Sequence, residues 1–292
     1  MMMLMKPVVV MVLLSLVTLG CDWKADGPAR LEARYATPDV GGADVVIPEV
    51  DLGDVAGEGL TGRWAMRMTL EGTISPLSAP WDITLTNLFI VDVDVDGDVD
   101  DGSLPVAALT FCDQISVIDT GKGASDLGRS EVPVPLRDAL ASQPLELPLD
   151  ASGIAAGELA WTWGLRDLDD PKSSALPEAA EDPRVWDQDA DGHPGVTMEI
   201  INPAGQRYMV RRALWTLAAA VLSEDLQTMR GSLDFHVEEV ALGASSTMLM
   251  TVAPITPADG PHPYVLRRVG AAGDDDAYDC ERLRVEQLGL FG

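Results

Sequence analysis

Basic residues, histidines and cysteines are scarce in this chain of 292 residues. It has 20 lysines and arginines against 47 aspartates and glutamates, a formal net charge of −27. Nucleic-acid binding needs clustered positive charge, and the few basic residues here are scattered, so nucleic-acid binding is excluded. The three histidines have no second histidine or cysteine at zinc-ligand spacing. The sequence also lacks a nucleophile elbow, a phosphate-binding glycine loop and a dinucleotide fingerprint, and we predict that the protein is not an enzyme.

Residues 1–20 have the pattern of an export signal. Lys6 precedes an apolar run from Pro7 to Leu19. These 13 residues are too few to span a hydrocarbon core of about 30 Å as a helix, but they suit the apolar region of a signal peptide. We therefore predict a signal peptide over residues 1–20.

The signal ends in Thr18-Leu19-Gly20-Cys21, which resembles the lipobox of bacterial lipoproteins. Gly20 and Cys21 match that motif, whereas Leu19 and Thr18 depart from it. The resemblance implies cleavage before Cys21 and attachment of lipid to this cysteine. It also implies an exported protein that is anchored to a bacterial membrane, at the periplasmic face or the cell surface.

The three cysteines are an odd number, which needs an explanation in an exported chain. If Cys21 carries lipid, Cys112 and Cys280 remain in an oxidising compartment. We predict a disulfide between them. The alternative is two buried thiols that do not meet.

Residues 21–59 are predicted to form a flexible, acidic tether after the lipidated cysteine. Between Tyr35 and Gly59 the chain has six acidic residues and no basic one, with several glycines and two prolines. Few large apolar groups and unbalanced charge leave little burial to offset the entropy lost on ordering.

Residues 60–292 are predicted to form one β-rich domain. Trp64, Met66, Met68 and Leu70 alternate with polar residues, and this period of two is typical of half-buried strands. About ten such segments predict an all-β fold, either an antiparallel meander barrel or a β-sandwich.

Four local predictions are less regular. Leu214–Leu222 has helical spacing, but the alternation that leads into it favours a strand hairpin. A change of parity at Glu238-Glu239 suggests a β-bulge. Leu283–Val285 is predicted as a short strand, and 137–142 as a short helix.

The domain opens with Gly62-Arg63-Trp64, which resembles the Gly-X-Trp of the first lipocalin strand. That resemblance implies a barrel with a cavity for an apolar ligand. The residues that would line it are Trp64, Met66, Met68, Trp161 and Trp163. The alternative for these residues is an ordinary packed core.

Two stretches share the spacing Asp-X-Asp-X-Asp-Gly, which resembles the start of EF-hand and thrombospondin-type calcium loops. Calcium binds hard oxygen ligands, and alternating aspartates supply them. Both stretches lack the glutamate expected at position 12, which predicts weak sites. The alternatives are the solvated face of an edge strand for the first stretch and an Asx-turn for the second. The candidate ligands are Asp92, Asp94, Asp96 and Asp98 in the first, and Asp187, Asp189, Asp191 and His193 in the second.

These features predict a membrane-anchored envelope lipoprotein with a structural or binding β-domain, stabilised by a disulfide and by calcium. Its membrane contact would be the N-terminal lipid. A carrier of an apolar small ligand is the first alternative. A hydrolase that uses two carboxylates is the second.

Overall fold

Strands account for most of the chain that the structure describes. The computed structural model describes residues 59–76, 79–94, 106–150, 153–271 and 278–291, all within the compact unit Leu52–Gly292. The predicted signal peptide, Cys21 and residues 22–58 of the predicted tether lie outside the described residues.

Fourteen strands and two α-helices follow one another along these residues. The first strands are β1 (Gly62–Ile74), β2 (Trp81–Val93), β3 (Val106–Asp119), β4 (Ala124–Ser125) and β5 (Ser130–Glu131), followed by helix α1 (Val134–Ala141). Next are β6 (Glu146–Asp150), β7 (Gly153–Ile154), β8 (Gly157–Trp163), β9 (Val196–Ile200), β10 (Gly205–Leu217) and β11 (Val221–Leu222). The last are β12 (Thr228–Ala244), a 3-10 helix (Thr247–Met250), β13 (Thr256–Pro257), β14 (His262–Gly270) and helix α2 (Cys280–Phe291).

The pairings between strands are antiparallel and return to their starting point. The path β12-β14-β1-β2-β3-β5-β9-β10 is completed by a pairing of β10 with β12. Each strand of this ring pairs with the next ring strand in sequence, so the ring is a meander. The all-β antiparallel prediction is confirmed, and the closed ring matches the barrel rather than the sandwich.

The ring has its fewest backbone pairings in the part between β3 and β10. There it is completed by the two-residue strand β5, which pairs with Ile115 of β3 and with the end of β9. Strand β6 pairs with the beginning of β3, and β8 pairs with residues 211–217 of β10. Backbone pairing therefore links β3 to β10 only through the short strands β5 and β9.

A large apolar core fills the ring because alternate strand residues point inward. In β1 the buried residues of this core include Trp64, Met66, Met68 and Leu70, which agrees with the period of two. Aromatic rings occupy its centre. Those of Phe89, Phe111, Trp161, Trp163 and Trp215 approach one another with centroids 5.0–6.0 Å apart.

A second, smaller core lies on the other face of β1, β2 and β3, beneath helix α2. Leu88 and Ile90 of β2 pack there with Leu283 of the helix. A disulfide between Cys112 of β3 and Cys280, the first residue of α2, joins the two elements with their Cα atoms 4.9 Å apart. The predicted disulfide is confirmed, and it attaches the helix that covers this face.

Two local predictions are wrong. Leu283–Val285 is part of helix α2, not a strand; Leu283 is buried whereas Val285 is 80% exposed. The register of β12 is continuous at Glu238-Glu239, and the shift falls later, between Tyr208 and Met209 of its partner. The parity changes in the sequence because Glu239 occupies an inward position, opposite Arg211.

For the segment with helical spacing, the strand is confirmed but the hairpin is not. The segment forms the end of β10 and, after a short connection, β11, which pairs with β12 rather than with β10. Its leucines follow the strand because β10 is paired on both edges, with β8 and with β12. Helix α1 covers most of the predicted short helix.

Candidate functional site: an acidic loop between β8 and β9

The second acidic stretch lies at the end of a long loop, from Gly164 to Gly195, that connects β8 to β9. Backbone hydrogen bonds close the base of this loop. The N–H of Trp186 donates to Gly164 O at 3.0 Å, and that of Gln188 donates to Gly195 O at 3.0 Å. The Gln188 side chain completes the closure by accepting the N–H of Gly164 at 2.7 Å.

Glycine is required at Gly195, where the loop rejoins the sheet. Its φ is +83°, a conformation that side chains rarely adopt. A Cβ atom there would also collide with the carbonyl oxygen of Met209 on β10. This close approach sets the position of the acidic turn against the edge of the barrel.

The outer two aspartates of the turn are held by hydrogen bonds from the turn itself. The carboxylate of Asp187 accepts the N–H groups of Asp191 and Gly192 at 3.1 and 2.9 Å. The carboxylate of Asp191 accepts the N–H of His193 at 2.9 Å and the hydroxyl of Thr197. These bonds fold the chain around the middle aspartate. The bond from the N–H of His193 to the carboxylate of Asp191, two residues earlier, is that of an Asx-turn.

The middle aspartate, Asp189, is buried and only partly satisfied. It is 9% exposed. Its Oδ2 accepts the N–H of Thr197 at 2.9 Å, while its Oδ1 is buried with no hydrogen-bond partner among the described residues. The pKa of Asp189 is raised from 3.8 to about 6, chiefly by burial. The negative charges of Asp191 and Asp187 also raise it, whereas the N–H groups of Thr197 and of Asp189 itself lower it.

The three carboxylates could share one cation. One oxygen from each of Asp187, Asp189 and Asp191 lies within 4.8 Å of the other two. Calcium binds oxygen at about 2.3–2.6 Å, so oxygens on one ion lie up to about 5 Å apart. A cation would supply a partner for Asp189 Oδ1 and offset the repulsion among the three charges.

The fourth candidate of this loop, His193, does not join the three carboxylates. Its ring stacks on Tyr208 of β10, with centroids 3.8 Å apart and planes at 8°. The ring therefore anchors the turn to the barrel, while its backbone N–H contacts Asp191.

The first acidic stretch is described only in part. Asp92 is half-buried in β2, with its carboxylate 3.3 Å from Arg63 of β1. Because β2 pairs with both β1 and β3, the alternative of a solvated edge strand does not apply to this residue. Asp94 is exposed just after β2. Asp96 and Asp98 lie outside the described residues.

The residues predicted to line a ligand cavity are all buried in the large core. These residues are Trp64, Met66, Met68, Trp161 and Trp163. The cavity among the central aromatic rings measures about 10 Å³, at the lower limit of the space that one water molecule needs. Sites for drug-sized ligands are larger, at about 300–1,000 Å³. The described part of the core thus resembles the packed alternative.

A polar group that the sequence analysis missed lies inside this core. Arg211 of β10 is buried, with its Nε 3.2 Å from Glu239 Oε1 of β12 and its guanidinium 4.6 Å from the centre of the Trp163 ring. Burial lowers the pKa of Arg211, and the charge of Glu239 opposes that effect. The signal in the sequence was Glu239, which continues the inward series of Leu233 and Phe235.

Comparison with known proteins finds no significant match among protein-family models, curated proteins or solved structures. Among the residues that the structure describes, no helix has the length and apolar character needed to cross a membrane.

Proposed function

We propose that this protein is a lipid-anchored envelope protein whose β-domain has a structural or binding role and no catalytic one. The observation that carries the proposal is the Cys112–Cys280 disulfide. It uses two of the three cysteines and is typical of an oxidising compartment outside the cytoplasm. Cys21, which follows the predicted export signal, is then the remaining cysteine, at the position that lipoproteins modify.

Expression in a bacterium that processes lipoproteins tests this proposal. We expect the wild-type chain in the membrane fraction, with a mass that shows cleavage before Cys21 and added acyl chains. Cys21→Ser should lack the lipid and leave the membrane fraction. The matched control is the double variant Cys112→Ser, Cys280→Ser, which should keep the lipid. An unmodified Cys21 in the wild type would refute the anchor.

A second part of the proposal is that the acidic loop binds calcium. The buried Oδ1 of Asp189 supports it, because a carboxylate oxygen without a partner is unfavourable in a buried position. Calorimetric titration of the chain with calcium should show one weak site, with a dissociation constant of about 0.1–1 mM. The double variant Asp187→Asn, Asp189→Asn should abolish binding. Asp169→Asn, exposed in the same loop, should not. Unchanged binding in the double variant would place calcium elsewhere.

The two alternatives receive less support from the described residues. A carrier needs an open interior, whereas the central cavity here measures about 10 Å³. A hydrolase needs two carboxyl groups facing one cleft. Asp113 and Asp189 have raised pKa values, in both cases chiefly through burial. Asp113, however, pairs with Arg137 at 3.3 Å, and Asp189 contacts Thr197.

A further inference from the structure

Side chains connect β3 and β10 across the core, although these two strands do not pair with each other. Arg211 of β10 is 3% exposed, and its Nη1 donates to Gln114 Oε1 of β3 at 2.8 Å. Gln114 Nε2 in turn donates to Asn87 Oδ1 of β2 at 2.6 Å. With Glu239 of β12, the network joins four strands.

The central cavity lies beside this network. Its polar lining consists of Arg211, Gln114 and Asn87, and its aromatic lining includes Trp163 and Trp215. Both tryptophans are 1% exposed, and neither indole N–H has a hydrogen-bond partner among the described residues. A buried donor left without an acceptor is unfavourable. The two residues that carry these donors line the same cavity.

We propose that this cavity is the binding site of a single hydrogen-bond acceptor of atomic size, a water molecule, held by the indole N–H groups of Trp163 and Trp215. The volume suits one water, and buried waters make about three hydrogen bonds. A water here accepts from the two indoles and donates to the remaining lone pairs of Asn87 and Gln114, whose carbonyl oxygens each have two.

A halide ion accepts the same hydrogen bonds, but it is larger than a water molecule and its charge is unfavourable here. The positive charge of Arg211 is already paired with Glu239. A halide would therefore bring an unbalanced negative charge into an apolar core, which is far more costly than a neutral water. The site extends the polar network from Arg211 to β8, the strand of Trp163.

A high-resolution crystal structure of the full chain tests this proposal directly. The expected result is one density peak within hydrogen-bond distance of both indole nitrogens. Crystals soaked in bromide should show no anomalous peak there. An anomalous peak would replace the water by a halide, and an empty cavity would overturn the proposal altogether.

Water-oxygen magnetic relaxation in solution gives an independent test, because it counts long-lived internal waters. Ala213 lines the cavity, so Ala213→Ser places a hydroxyl where the water would lie, and the count should fall by one. The control is Ala107→Ser, at a buried alanine of the same core that is not part of the lining. It should keep the wild-type count. An unchanged count in Ala213→Ser would contradict the proposal.

Discussion

Replacing Asp189 with asparagine should stabilise the protein without calcium and remove its response to calcium. Asparagine keeps an oxygen for the N–H of Thr197, which Asp189 Oδ2 accepts at 2.9 Å, but it has no charge to bury. Its amide can also donate to the neighbouring carboxylates of Asp187 and Asp191, whose oxygens lie within 4.8 Å.

The size of the effect follows from the pKa. A carboxyl group whose pKa rises on folding destabilises the protein once it ionises. The rise from 3.8 to about 6 corresponds to about 3 kcal/mol, since one pH unit is worth about 1.4 kcal/mol. Solvent screening at the rim of the loop reduces this value, and we expect about 1–2 kcal/mol. This destabilisation by ionised Asp189 is absent below about pH 4, grows between about pH 4 and 6, and reaches its full value above about pH 6.

Calcium should change the difference in stability between Asp189→Asn and the wild type. A site with a dissociation constant of about 0.1–1 mM stabilises the wild type by about 1.4–2.7 kcal/mol at about 10 mM calcium. The variant lacks the central ligand and should gain little. Its advantage in chelator should therefore disappear or reverse when calcium is present.

Urea unfolding at pH 8 and at pH 4, each with chelator and with calcium, measures these quantities. Asp169→Asn, exposed in the same loop, controls for the loss of one surface charge. If Asp189→Asn is no more stable than the wild type in chelator at pH 8, the reasoning about the buried carboxylate is refuted. If it is more stable but both proteins respond equally to calcium, only the calcium site is refuted.

Three further predictions concern the rest of the domain. Glu239→Gln leaves Arg211, 3.2 Å away, without its counter-charge and should destabilise the protein by about 3–5 kcal/mol in urea unfolding; a change under 1 kcal/mol would show that the pair is dispensable. Replacing Cys112 and Cys280, which are 168 residues apart, with alanine should destabilise it by about 3–5 kcal/mol; an unchanged unfolding midpoint would contradict this. Burial lowers the pKa of His262 below 6.5, against the charges of Glu71 and Asp234, so stability should fall as the pH decreases through and below 6.5; His262→Gln should lose that part of the dependence, measured by thermal melting, and an unchanged pH profile would count against it.

The period of two in the sequence was sufficient for most strands of the barrel because their inner face is buried and their outer face is largely polar. In β1, β2 and β3 the outer face also carries the second core. The period of two failed at the C-terminal end of the chain. Leu283 and Val285 alternate like a short strand, but the segment is a helix whose contacts come from Leu283 and the half-buried Leu290 and Phe291, spaced by seven and eight residues. Only the second core, formed by residues distant in sequence, distinguishes these two possibilities.

The sequence did not predict the polar network of Arg211 and Glu239, because it too depends on contacts between residues distant in sequence. Arg211 and Glu239 are charged residues in strands, and a single strand gives no means of knowing that its inward charge has a partner. The partner lies on a strand whose register depends on the whole ring. The acidic turn was easier, because its three aspartates lie within five residues and their spacing alone brings them together.

The closing pair of the ring has a consequence for how the chain folds. Trp64 of β1 pairs with Arg268 of β14, so the first strand meets one of its two neighbours only after nearly all of the domain has been synthesised. Contacts of such high sequence separation slow folding, and all-β domains of high contact order typically fold in milliseconds to seconds. During that interval one edge of β1 is exposed to other chains. Protection of this edge should therefore limit the yield of folded protein more than its final stability does.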